Sequence, residues 1–254
     1  MLRDPVLATW LHIGLEYAGI AVGGALYRRA RRRAGLPPLH APKAFAVTAG
    51  LLLGAALGNK LVFLIERPDL LAAWWRHGTP FALGQSMVGG LLGGLLGTEL
   101  AKWWTRQPTS TGDALVLPVT AGLVVGRIGC FLAGLQDDTY GLATSLPWGI
   151  DLGDGVARHP TPLYEIGFVL SLCGLLQAWR GRLAAVAGLQ WKLFLTGYLL
   201  WRAWVDGLKP VPVEYVGGLS GIQVTCWLAL AVYAPVVVRA AARLRGERQL
   251  GRST

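Results

Sequence analysis

The sequence predicts an all-α integral membrane protein of seven transmembrane helices, and three observations carry that prediction. Hydrophobic residues make up 53% of the 254-residue chain against 15% charged, a mixture that needs a solvent other than water. Apolar stretches of about 20 residues, the length that crosses a bilayer as helix, recur along the whole chain. Lysine and arginine flank those stretches unequally from one loop to the next.

In chain order the spans are expected at 6–26, 44–65, 81–101, 114–134, 161–179, 183–205 and 218–238. The first is followed, not preceded, by arginines and lacks a small-residue cleavage site, so it reads as a retained span rather than a signal peptide. One set of loops holds Arg28, Arg29, Arg31, Arg32, Arg33, Lys43, Lys102, Arg106, Arg180 and Arg182, and the tail adds Arg239, Arg243, Arg245, Arg248 and Arg252. The alternate set holds only Arg3, Arg67, Arg76, Arg158 and Lys209. The richer side is cytoplasmic, which puts the N-terminus out and the C-terminus in. Residues 1–254 then form a single transmembrane domain, with 135–160, rich in Gly, Pro and Asp, as a small periplasmic cap. The stretch 66–80, with Trp74 and Trp75, reads as a second external element at the interface. The 35 glycines suit close contact between helices.

The net charge of +10 does not point to nucleic acid, because the cations border apolar runs instead of sharing one soluble face with aromatics. Cys130, Cys173 and Cys226 are odd in number and widely spaced within apolar segments, so they support neither a disulfide framework nor a zinc site. No metal and no cofactor is expected.

Ionisable groups at membrane depth cost about 2.5–3.5 kcal/mol each at a helix centre, so they persist with a partner or a task. Arg127, between Gly126 and Gly129 in an apolar helix, is either a structural arginine bonded to carbonyls or a planar fork for a phosphate. Arg202 and Asp206, four apart, share a helix face; they neutralise each other or form part of an anion site. Arg158, His159, Tyr164 and Glu165 gather at one membrane boundary, where His159 is either a hydrogen-bonding residue or an acid–base group. Gly89-Gly90 and Gly93-Gly94 admit a neighbouring helix or a lipid chain. Intramembrane charge alone also fits a transporter, but no inverted repeat is visible.

Taken in order and spacing, Gly126-Arg127-Ile128-Gly129-Cys130-Phe131, Tyr140-Gly141, Leu146-Pro147-Trp148-Gly149 and Arg158-His159-Pro160-Thr161-Pro162-Leu163-Tyr164-Glu165 resemble the bacterial prolipoprotein diacylglyceryl transferases. Asp4-Pro5-Val6-Leu7, Ser86 to Gly94, Gly197-Tyr198 with Arg202 and Asp206, and Gly221 with Gln223 extend the resemblance over nearly the whole chain. The resemblance implies a multi-pass enzyme of the bacterial inner membrane. Its expected reaction moves a diacylglyceryl group from phosphatidylglycerol to the lipobox cysteine thiol of a preprolipoprotein signal peptide, without cofactor. It further implies Arg127, Arg202, Tyr198 and His159 as catalytic residues. Arg158, Tyr164, Glu165, Gly89, Gly90 and Asp206 would contact substrate, with Asp206 orienting Arg202.

Departures from the family pattern are specific. Val88 stands where the family usually has His, Cys130 where it has Asn, Ile13 where it has Tyr, and Ala133-Gly134-Leu135 where it has Asn-Gly-Glu. His12 and Glu16, four apart on one face of the first span, are the residues that would replace the lost polar groups. The alternative is a divergent member that binds phospholipid without this transfer, or that acts on a different acceptor.

Overall fold

The computed structural model describes residues 5–78, 84–137 and 139–250, with side chains described from Val6 to Gly246 within those ranges. Arg3, Asp4, Pro80, residues 81–83 of the expected third span, Asp138 and Arg252 lie outside them. The chain is helical nearly throughout: α1 Pro5–Arg33, α2 Pro42–Glu66, α3 Pro68–His77, α4 Met87–Thr105, α5 Val116–Ala133, α6 Thr161–Ala178, α7 Arg180–Leu183, α8 Leu189–Val205 and α9 Gly221–Leu250. One small hairpin, β1 Ile150–Asp151 against β2 Ala157–Arg158, stiffens the loop before α6.

Five helices among the described residues, those at Val6–Arg33, Pro42–Glu66, Asp113–Gln136, Thr161–Ala178 and Gly221–Gly246, are long and apolar enough to cross a membrane. The expected third and sixth spans are helical but do not meet that condition. Glu99 and Lys102 interrupt the apolar run of α4, and α8 has only 17 residues because it begins at Leu189 instead of 183. Gly188, at φ 78°, breaks the backbone there. Asp113 then caps the new helix from 75 residues away, its two carboxylate oxygens accepting from the amides of Gly188 at 2.7 Å and Trp191 at 3.0 Å, groups that otherwise have no intrahelical partner. Ser86 performs a local version of this service for α4, accepting from Gly89 N at 3.3 Å.

The outer surface is apolar. Leu52, Leu53, Leu57 and Leu61 on α2, Leu96 and Leu100 on α4, and Val232 and Val238 on α9 are all exposed, a contiguous display that belongs against lipid tails. The cations expected in aqueous loops are partly absorbed by the fold. Arg31 is buried, stacked over the Tyr27 ring at 5.5 Å and donating to the Pro37 carbonyl at 2.6 Å.

Glycine dictates how the helices meet. A Cβ placed on Gly50, Gly54 or Gly58 of α2 would strike the carbonyl of Gly97, Gly93 or Gly89 of α4, and the reverse holds for each pair. These backbones are in direct contact, as small residues permit in membranes. A second close pair joins α1 to α5, where Gly19 faces Gly122 and Gly23 faces Pro118. Behind both pairs, Phe194, Leu195, Tyr198 and Leu199 of α8 are fully buried among Val88, Val169 and Cys226. Gly221 lets the start of α9 rest on the Ile65 carbonyl and Glu66.

Candidate active site

Between the α1–α5 and α2–α4 pairs lies a cavity of about 1650 Å³, larger than the roughly 300–1,000 Å³ of ordinary small-molecule sites. Its walls are mostly apolar, from Ile20, Leu51, Ala55 and Leu95 among others. One group of polar residues on the wall comprises His12, Glu16, Asn59, Gln85, Arg127, Cys130, Asp137, Arg202, Asp206 and Lys209, and a second, from the far end of α4 and the start of α8, includes Glu99, Lys102 and Lys192.

Arg127 and Arg202 converge on one carboxylate. Glu165, 1% exposed, has Oε2 3.0 Å from Arg127 Nε and 3.1 Å from Arg202 Nη1, while its Oε1 accepts from the Tyr198 hydroxyl at 2.7 Å. Both terminal nitrogens of Arg202 are engaged, because Nη2 donates to Asp206 Oδ1 at 3.1 Å. Asp206 is held in turn by the Ser220 hydroxyl, itself fixed by Gln223, whose side-chain amide donates to the Ala203 carbonyl at 2.9 Å. Arg127 is less committed. Its Nε is close enough to Glu165 for an ion pair but is not aligned for a hydrogen bond, and its Nη1 makes only a 3.6 Å contact to Cys130 Sγ. The guanidinium therefore keeps donors for an anion in the cavity, while Arg202 serves as the anchor.

Of the residues singled out in the sequence, the fold brings His12, Glu16, Gly90, Arg127, Arg202 and Asp206 to this cavity wall. His12 Nε2 lies 3.4 Å from Glu16, and Gln85 donates to the other Glu16 oxygen at 3.3 Å. Gly89 is turned away, packed on Gly58 of α2, so the two readings of the glycine pair are divided between its members. Tyr198 and Glu165 are buried behind the arginines and are not part of the wall. Arg158, His159 and Tyr164 form a separate cluster and do not line this cavity. There Tyr164 accepts from Trp148 Nε1 at 2.8 Å and meets His159 Nδ1 at 3.3 Å. Arg158 pairs with Asp154 at 2.6 Å and lies over the Tyr140 ring at 5.2 Å, and this arginine holds the exposed Asp154 carboxyl below the usual carboxylate range.

Two polar residues of the wall, Asn59 and Lys209, were not read as site residues in the sequence. Asn59 accepts from Ser86 N at 2.8 Å, which ties the mouth of α4 to α2; an Asn beside Lys60 in an apolar run was the available signal. Lys60 itself donates to the Gly84 carbonyl at 2.9 Å. Lys209, expected as an exposed loop cation, is 8% exposed. Burial, followed by the nearby charges of Arg202 and Arg127, pushes its ammonium down to about 7.

The fold and its cavity define a helical, multi-pass membrane protein with an internal cation-lined site. Comparison with known proteins makes this specific: residues 14–239 match the family model for prolipoprotein diacylglyceryl transferase, and the chain belongs to that family. Relatives named phosphatidylglycerol–prolipoprotein diacylglyceryl transferase include one from Geobacter sulfurreducens, 31% identical over 86% of this chain and 86% of its own. Another, from Solidesulfovibrio magneticus, is 32% identical over 92% of this chain and 88% of its own. The Rhizobium meliloti protein is 30% identical over 95% and 89%.

Proposed function

We propose that this protein transfers the diacylglyceryl group of phosphatidylglycerol to the cysteine thiol of a preprolipoprotein. The observation that carries the reading is the convergence of Arg127 and Arg202 on Glu165 at the wall of a large, mainly apolar cavity. The acyl chains occupy the apolar length, and the phosphate meets the uncommitted donors of Arg127. The acceptor sulfur attacks the glycerol carbon next to the phosphate oxygen. The S–C bond forms as the C–O bond breaks, and the electron pair leaves on glycerol phosphate. Fixed guanidinium donors in a poorly screened site favour that developing charge. The thiol proton goes to His12, which Glu16 orients, in place of the histidine that Val88 replaces. Val88 is fully buried in the core and does not line the cavity.

The wider reading is a seven-span protein of the bacterial inner membrane, N-terminus out, taking the lipobox signal peptide from the periplasmic side. In it α4 and α8 cross the bilayer shielded by their neighbours, and 135–160 forms the periplasmic cap with the Arg158–His159–Tyr164 cluster facing the peptide.

Purified protein in nanodiscs containing phosphatidylglycerol, given a lipobox peptide, should yield peptide heavier by one diacylglyceryl group. Folded protein that binds the lipid yet gives no product would instead support a lipid-binding member without this transfer. Reporter fusions to each loop test the orientation.

A further inference from the structure

The cavity mouth holds a group of side chains that the transfer reaction does not require together. His12, Cys130 and Asp137 each present a ligand atom, all within 4.8 Å of one another. They come from α1, from α5 and from the turn after α5, brought together because Gly129 lets α5 rest on the His12 backbone. All three line the cavity.

We propose that His12, Cys130 and Asp137 form a binding site for a divalent transition metal of the zinc type. Imidazole, thiolate and carboxylate are donors that zinc takes, and three protein ligands with one open position is its arrangement at reactive sites. Zinc sits about 2.0–2.3 Å from such donors, which requires them roughly 3.3–3.8 Å apart, so rotations moving the donor atoms by about an ångström complete the site. The surroundings are suited to this. Glu16 occupies His12 Nε2, and His12 Nδ1 is buried with no hydrogen-bond partner. A carboxylate on one ring nitrogen with the other free is the usual outer support of a metal-bound histidine. Thr139 donates to Asp137 Oδ2 at 2.8 Å and steadies that carboxylate with its other oxygen open. Arg127 adds a positive charge beside the sulfur, but the Cys130 thiolate, Asp137 and Glu16 together balance both it and the metal. The remaining coordination position opens into the cavity. A metal there engages the same imidazole that the proposed transfer uses as proton acceptor, so metal binding and transfer compete; that consequence alone rests on the functional reading.

The test reads the metal directly. Tag-free protein in detergent is titrated with Co(II) alone and followed by absorption, then back-titrated with Zn(II). One equivalent of Co(II) should bind with a sulfur-to-cobalt charge-transfer band and tetrahedral ligand-field intensity, and Zn(II) should displace it. Cys130→Ser should abolish the charge-transfer band and Cys173→Ser should keep it. Affinity should fall at least tenfold in His12→Ala and in Asp137→Asn, and about 10- to 100-fold in Glu16→Gln. If Cys130→Ser does not fold, His12→Ala and Asp137→Asn decide the matter, since both side chains are only half-buried at the cavity. Absence of the band at saturating Co(II), a band that follows Cys173 or Cys226, or affinity indifferent to His12 and Asp137 overturns the site whatever the transfer assay shows.

Discussion

Glu165→Gln is the most informative single change, because one carboxylate neutralises two guanidinium groups where water does not reach. At an effective dielectric of about 20, an ion pair at 4 Å is worth roughly 4 kcal/mol, so two pairs contribute about 8 kcal/mol gross. Repulsion between the arginines and the relieved desolvation of Glu165 take back part of this. The expected net loss is about 3–5 kcal/mol, the range for removing one partner of a buried pair. Glutamine has nearly the same shape, so the loss reports charge rather than packing. The assay is unfolding of purified protein in detergent followed by tryptophan emission, with Tyr198→Phe as comparison. Tyr198→Phe removes one hydrogen bond to a charged group, about 1.5–3 kcal/mol, and leaves both ion pairs. Transfer by the glutamine variant should fall at least tenfold, since Arg202 loses one of its two anchors. A Glu165→Gln protein as stable as the parent, or less affected than Tyr198→Phe, would refute the idea of a shared buried counter-ion.

Arg127→Ala should lower kcat by about 100- to 1000-fold, the usual cost of one donor to a developing oxyanion, with a circular dichroism spectrum like the parent's; single-turnover transfer measures it. Lys209 gives a pH dependence. Its folded value of about 7 lies below the unfolded value near 10.4, so between those limits the unfolded chain holds more protons and stability rises with pH. Stability from this group is complete above about 10.4 and lost as pH falls through about 7, so Lys209→Met should raise the unfolding midpoint more at pH 6 than at pH 9. The same ammonium gains its proton beside a bound phosphate, and affinity for phosphatidylglycerol should strengthen from pH 8.5 to pH 6 in the parent only, as read by lipid titration. Gly54→Val should force α2 from α4, because its Cβ would meet the Gly93 carbonyl; a loss of about 1–3 kcal/mol is expected, against little change for Gly24→Val, which has open space around it. Asp113→Ala removes the cap of α8 and should cost about 1–2 kcal/mol, seen as faster backbone exchange at Leu189–Trp191.

The helices were legible because bilayer thickness fixes their length, and Arg127, Arg202 and Asp206 stood out because charge in an apolar run has few explanations. Boundaries slipped where local sequence was a poor guide. α1 runs on to Arg33 and α9 to Leu250 because arginine is a good helix former and its long stem reaches water from a helix. α8 starts late because its cap, Asp113, is distant in sequence. Glu165 was noticed as one of a boundary cluster, but its service to both arginines depends on α5, α6 and α8 meeting, which periodicity does not encode. The proximity of Cys130 to His12 was equally hidden, since the spacing of the cysteines says nothing about a histidine more than a hundred positions earlier. Lys209 misled because a lysine next to a proline outside a span ordinarily faces water.

Backbone contact along α2 and α4, and again along α1 and α5, makes each pair a stiff plank that cannot be parted without losing its seam. Among the described residues α1 makes no extensive contact with α2 or α4, so a slot stays between the planks, and under the proposed transfer a two-tailed lipid would enter it sideways from the surrounding leaflet.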